Sequence, residues 1–155
     1  FNKRTLSDSC INSWNKRMSV LTTNSVKHEA KKVMFIIELK PLIVAGVNTF
    51  LNEYVKVCGM KNIVEDTKIN YPILNREEIL KRNPSFILYA TDKKDVKNVL
   101  LQMYPEWKNI DAVKNNNVFL IDANIYFRPG PRFIDACEEI FRNLHPEVLY
   151  QDQKK

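Results

Sequence analysis

"VMFIIEL", residues 33–39, is the stretch on which the fold turns. It is a short, nearly unbroken apolar run, with Val33, Ile36 and Ile37 branched at Cβ, and predicts a strand covered on both faces. Two further runs share the pattern: "SFILYAT" (85–91) and "VFLID" (118–122), the latter introduced by the Asn115–Asn117 turn. Helical patterns lie between and around these three strands.

After the first strand, "KPLIVAGVNTF" reads as a loop broken by Pro41 and Gly46. Asn48 or Thr49 is then expected to cap a helix, with Phe50, Leu51, Tyr54, Val55 and Val57 at helical spacing until Gly59 ends it. "KNIVED" and "KINYPIL" read as short extended pieces around a polar turn. In "NREEILKRNP" (75–84), Asn75 caps a short helix and Glu78 is expected to return a bond to the cap, a capping box; Pro84 stops the helix near Asn83. A helix over 92–104, then a loop with a short helical turn, lead to the third strand. "RPGPRFIDACEEIFRNLHP" places Pro131 at a first helical position, before a stripe of Phe133, Ile134, Cys137, Ile140, Phe141 and Leu144. Ahead of everything, residues 7–26 form an amphipathic helix with Ile11, Trp14, Met18 and Leu21 on one side.

Strands alternating with helices predict an α/β fold: a three-layer, Rossmann-like unit whose mainly parallel central sheet is flanked by helices. Such sheets bind ligands beyond the carboxyl ends of their strands. Here those ends are "ELKPLIVAG", "YATDKK" and "IDANIYFRPG". The chain divides into an entering helix (1–28), the α/β unit (33–146) and a tail (147–155).

At 155 residues, 45% hydrophobic and 27% charged, the chain suits one domain with one sizeable core. A net charge of +6 favours anionic partners. Its Lys and Arg are scattered, with no basic block interleaved with aromatics, so nucleic acid is not an expected partner. No apolar run approaches the ~20 residues of a membrane span. The chain starts at Phe1 with no basic-then-apolar leader, which suggests a processed product or an excised piece. Cys10, Cys58 and Cys137 are widely spaced and odd in number, and are expected to be buried free thiols.

Three glycines in all leave no phosphate cradle. His28 and His145 share no spacing with each other or with a cysteine, so no metal site is expected. No serine or cysteine stands in a nucleophile context, so the chain is not expected to be an enzyme, nor to need a cofactor. What remains at the strand ends is Tyr71, Asn124, Tyr126, Phe127, Arg128 and Arg132. Aromatic rings with a forked guanidinium suit a planar or anionic organic ligand. The alternative is that Tyr126 and Phe127 cover the sheet end and Arg128 caps a helix.

Five motifs in order, "KPLIVAGVNTFLNEYVKVCGMKNIVED", "YPILNREEILKRNPSFILYA", "W…AVKNNNVFLID" and "YFRPGPRFIDACEEIFRNLHP" among them, resemble the C-terminal lobe of class III substrate-binding proteins. That family serves ABC importers of iron-siderophores, haem and vitamin B12. The resemblance spans roughly residues 33–146. It implies two α/β lobes joined by one long helix, whose closing end matches 7–26, with the ligand in the cleft and the N-terminal lobe missing from this chain. It implies a periplasmic or lipid-anchored protein on the outer face of the cytoplasmic membrane, with an ABC permease as partner. Glu77 matches the acid that docks on permease arginines. Tyr71 matches an aromatic cleft position, Ile43 a cleft position and Arg128 a ligand-facing arginine; Asn124 falls where some members carry an acid, a departure from the pattern. The ligand implied is a ferric siderophore first, then haem, then cobalamin. A domain of the same fold that binds no ligand and serves interaction or assembly is the alternative.

Overall fold

The computed structural model describes residues 3–25, 29–91, 95–126, 130 and 132–146. Helix α1 (Lys3–Ser25) enters the sheet through β1 (Lys32–Leu39), which turns at the cis Lys40–Pro41 bond into β2 (Leu42–Val44). Then follow α2 (Leu51–Val57), β3 (Lys61–Asn62), α3 (Arg76–Arg82), β4 (Phe86–Ala90), α4 (Val96–Met103), a 3-10 turn (Pro105–Asn109) and α5 (Asp111–Lys114). The chain closes with β5 (Val118–Ile121), α6 (Ala123–Tyr126) and α7 (Phe133–Leu144).

The strands run β2-β1-β4-β5, and β3 pairs with the start of β1. Every pairing is parallel except β1 with β2. The mainly parallel sheet flanked by helices is thus as predicted. "LIV", read as loop, is instead the antiparallel strand, because the tight turn at Pro41 folds it straight back onto Glu38 and Leu39. A sixth extended piece extends this edge: Ile43 bridges Ile73, the Val44 N–H donates to the Pro72 carbonyl (3.2 Å) and the Gly46 N–H to that of Asn70 (2.7 Å).

Alternate residues of each strand feed opposite cores. Val33, Phe35, Phe86 and Leu88 pack with α1, α2 and α7; Met34, Ile36, Ile87 and Tyr89 pack with α3, α4 and the 3-10 turn. These two layers explain why β1 is apolar on both faces.

Helix α1 is fastened at two points. Arg17 donates to both carboxylate oxygens of Glu138 (2.8 Å each) and to Asp135 (2.5 Å) on α7. At its end, Ser25 lies against Gly59, whose left-handed backbone (φ +68°) closes α2 and where a Cβ would come within 2.7 Å of the Ser25 Cβ. Ile11 and Cys10 are exposed, so the apolar stripe reaches the core only from Trp14 onward. Cys10 is therefore not the buried thiol expected, since it precedes that contact. Cys58 and Cys137 are buried and neighbouring, the Cys58 thiol donating to the Cys137 carbonyl (3.4 Å). Burial pushes the Cys137 thiol up to about 12.

Two capping expectations are corrected. Helix α2 begins after Phe50 with no side-chain cap; Thr49 donates instead to the Gly46 carbonyl (2.7 Å) and Asn48 to that of Lys68 (3.1 Å). Asn75 does cap α3, accepting from the Glu78 N–H (2.7 Å), but the Glu78 carboxylate does not reach back. It accepts from Arg82 one turn on (2.7 and 3.2 Å), because that guanidinium is the stronger donor. Pro131 and the tail 147–155 lie outside the described residues.

Candidate functional site

The site begins at the carboxyl end of the sheet, where β1 turns into β2, and runs back along the β2 edge to about the level of Phe35. Residues 69–74 run antiparallel to β2, and their inward hydrogen bonds fall on Asn70, Pro72 and Leu74. Ile69, Tyr71 and Ile73 therefore share the opposite parity, and all three are exposed, at 60%, 50% and 66%. Ile43, half-buried, faces Ile73 directly across the bridge. An apolar wall of three isoleucines around one tyrosine is costly to leave in water unless something covers it.

Gly46 makes this wall possible. A Cβ there would sit 2.2 Å from the Ile69 carbonyl oxygen and 3.0 Å from that of Asn70. No other residue lets the extended piece approach β2 so closely. Beneath it, a buried amide pair locks the neighbouring loop: Asn62 donates to the Ala45 carbonyl (2.9 Å) and to Asn52 (3.0 Å), while Asn52 donates to the Val47 carbonyl (3.0 Å).

The second part of the site is α3. Glu77 stands exposed in its first turn, where the helix dipole favours a carboxylate. The helix is held from its far end by Arg82, which donates to Asp66 (2.7 and 2.9 Å), Glu78 and the Ile63 carbonyl (2.5 Å). Those bonds keep the Asp66 carboxyl below its ordinary range. One guanidinium thus ties the loop leading to Tyr71 to the helix carrying Glu77.

Ile43 and Tyr71 are brought together, but Asn124 is not beside them. It follows β5 at the opposite edge, three strand spacings or about 14 Å from β2. Asn124 is exposed, its N–H donating to the Asp122 carboxylate (2.8 Å). Tyr126 is corrected from a ligand contact to a core residue: it is fully buried, its ring 5.2 Å from that of Tyr54, its hydroxyl donating to Glu139 (3.2 Å) and toward the Ala136 carbonyl (3.4 Å). Helix α6 swings the ring inward against α2 and α7. Phe127 and Arg128 lie outside the described residues. Ile69 and Ile73 were not singled out in the sequence, although their spacing of two about Tyr71 is the signal that marks them. Among the described residues, no group of His, Cys, Asp and Glu could hold a metal ion, and no helix is long and apolar enough to cross a membrane.

The chain matches the periplasmic binding protein family over residues 8–125. It is 32% identical over 124 residues to the uncharacterized ABC transporter substrate-binding lipoprotein YvrC of Bacillus subtilis, covering 79% of this chain and 38% of that protein. It is 27% identical over 126 residues to the vitamin B12-binding protein of Vibrio cholerae, covering 81% and 44%. Among solved structures, it superposes on a possible iron-binding periplasmic solute-binding protein of Staphylococcus epidermidis with a TM-score of 0.78 at 23% identity, covering 89% of this chain and 54% of that one. The periplasmic haem-binding protein HutB of Vibrio cholerae superposes with a TM-score of 0.73 at 21% identity, covering 85% and 53%. The chain thus spans less than half the length of these two sequence relatives. They are solute-binding proteins, not enzymes. By this match and this fold, the chain belongs to the periplasmic binding protein family, among the class III substrate-binding proteins of ABC transporters.

Proposed function

We propose that this chain is the C-terminal lobe of a receptor that captures a ferric siderophore, or a related chelate such as haem or cobalamin, and delivers it to an ABC permease. Helix α1 is then the closing end of the helix joining the two lobes, and the N-terminal lobe supplies the other half of the cleft. The receptor works on the outer face of the cytoplasmic membrane, in the periplasm or on a lipid anchor.

The observation that carries this reading is the exposed wall of Ile43, Ile69, Tyr71 and Ile73, which begins at the carboxyl end of the sheet, where Ile73 faces Ile43, and runs back along the β2 edge. That carboxyl end is where open α/β sheets hold ligands, and an apolar wall with one hydroxyl suits an organic chelate better than a bare ion. The net charge of +6 favours an anionic complex over a corrinoid, which supports the ferric siderophore as the first candidate. Glu77, exposed beside the wall and spared by the capping bonds, is the docking acid.

The test is calorimetric titration of the full-length receptor with ferrichrome, ferric enterobactin, haemin and cyanocobalamin. Binding of one, weakened by Tyr71→Ala, is expected. Absence of heat and of thermal stabilisation with all four would refute the ligand reading.

A further inference from the structure

Beside Glu77 an open groove of about 600 Å³ runs between the β1–β2 turn and the start of α3. Its floor is apolar and buried: Leu39, Leu42, Leu74 and Tyr104. Its rim is charged and mixed in sign, with Lys40 on the turn, and Arg76 and Glu77 on α3. Ile73 overhangs one side with most of its surface in water.

The walls are fixed rather than yielding. Arg76 lies over the Tyr104 ring, 5.1 Å from its centre, with Glu106 at 3.8 Å. The Tyr104 hydroxyl donates to the Leu39 carbonyl, tying α4 to the end of β1, and Asn75 anchors the helix start. A rigid apolar slot with an anion and cations on its rim is built to receive a protein side chain between charged neighbours.

We propose that this groove is a second contact for the permease. It takes an apolar side chain from a permease loop that carries an acid facing Lys40 and a cation facing Glu77. The inference rests on the reading of Glu77 as the docking acid, and extends it. Charge complementarity selects this occupant: one carboxylate and one ammonium on the same rim match a loop bearing both signs, which a metal chelate of one net charge does not offer. The groove is also continuous with Glu77 itself.

The experiment measures binding of the full-length receptor to its own permease–ATPase complex in nanodiscs, alongside calorimetry with the four chelates named above. Four variants are compared: Lys40→Glu, Lys40→Arg, Ile73→Ser and Glu77→Ala. Lys40→Glu and Ile73→Ser are each expected to weaken docking roughly tenfold, while Lys40→Arg docks as the parent does. All four should melt with the parent, since the altered side chains are exposed. If Glu77→Ala weakens docking and the two groove variants do not, the groove inference is overturned and the role of Glu77 stands. If the groove variants weaken docking while Glu77→Ala does not, the groove contact holds and the reading of Glu77 falls. If Lys40→Glu instead lowers chelate affinity with docking intact, the groove belongs to the ligand and the inference is overturned; Ile73→Ser, which also alters the proposed ligand wall, is read for docking alone.

Discussion

Replacing Gly46 with alanine adds one methyl group at the point where β2 meets the 69–74 segment. That methyl would stand 2.2 Å from the Ile69 carbonyl oxygen, a distance at which backbone must move. Moving the segment away strains or breaks the Gly46–Asn70 and Val44–Pro72 hydrogen bonds, each worth about 1 kcal/mol. Residual overpacking adds about 1–2 kcal/mol, giving a loss of about 2–4 kcal/mol. For a unit of this size the midpoint should fall by roughly 4–16 °C. Gly130 is the control, since a Cβ there meets nothing within 4 Å, and its alanine variant should stay within about 0.5 kcal/mol of the parent. Urea unfolding of the two variants followed by circular dichroism measures both. Because the displaced segment carries Tyr71, chelate affinity should fall with stability in Gly46→Ala. Equal stability of the two variants would refute the close-approach argument.

Glu77→Ala should leave melting and chelate affinity unchanged while reducing uptake in cells lacking the native gene; unchanged uptake with lowered stability would make Glu77 a structural residue. Arg82→Ala removes the donor to the partly buried Ile63 carbonyl and Glu78, and should cost about 1–2 kcal/mol in urea unfolding. The Glu138 carboxyl is held below its ordinary 4.5 by hydrogen bonds from Arg17. A depressed carboxyl stabilises the fold above its unfolded value and loses that contribution as pH falls through its folded value. The link between α1 and α7 should therefore weaken below about pH 4.5, read as faster amide exchange along α1, and Glu138→Gln should flatten that dependence.

The architecture was legible because β1 and β4 are apolar and buried on both faces, the pattern of a strand between two helical layers; β5 shares the apolar run but, at the sheet edge, leaves Leu120 exposed. Asn75 could be read as a cap from its position before "REEIL", since capping is local chemistry. Glu78 and Tyr126 were misjudged for the opposite reason: their partners, Arg82 within a network reaching Asp66, and Tyr54 seventy-two residues away, are fixed by tertiary packing. "LIV" was hidden by its length, three residues between Pro41 and Gly46 being too few to show a period. The apolar wall became visible only once the pairing of Ile43 with Ile73 set which residues of 69–73 face outward.

The two fastenings of α1, Arg17 on α7 and Ser25 against Gly59, lie eight residues apart, or about 12 Å along the helix. Two pins at that spacing aim a rod. A play of about 1 Å at one pin would swing the axis by about 5° and carry Lys3, fourteen residues beyond Arg17, sideways by only about 2–3 Å. In the two-lobe reading proposed above, the second lobe would be presented to residues 33–146 at a nearly constant angle, and the width of the cleft between them would be set by the seating of one arginine and the absence of one methyl group.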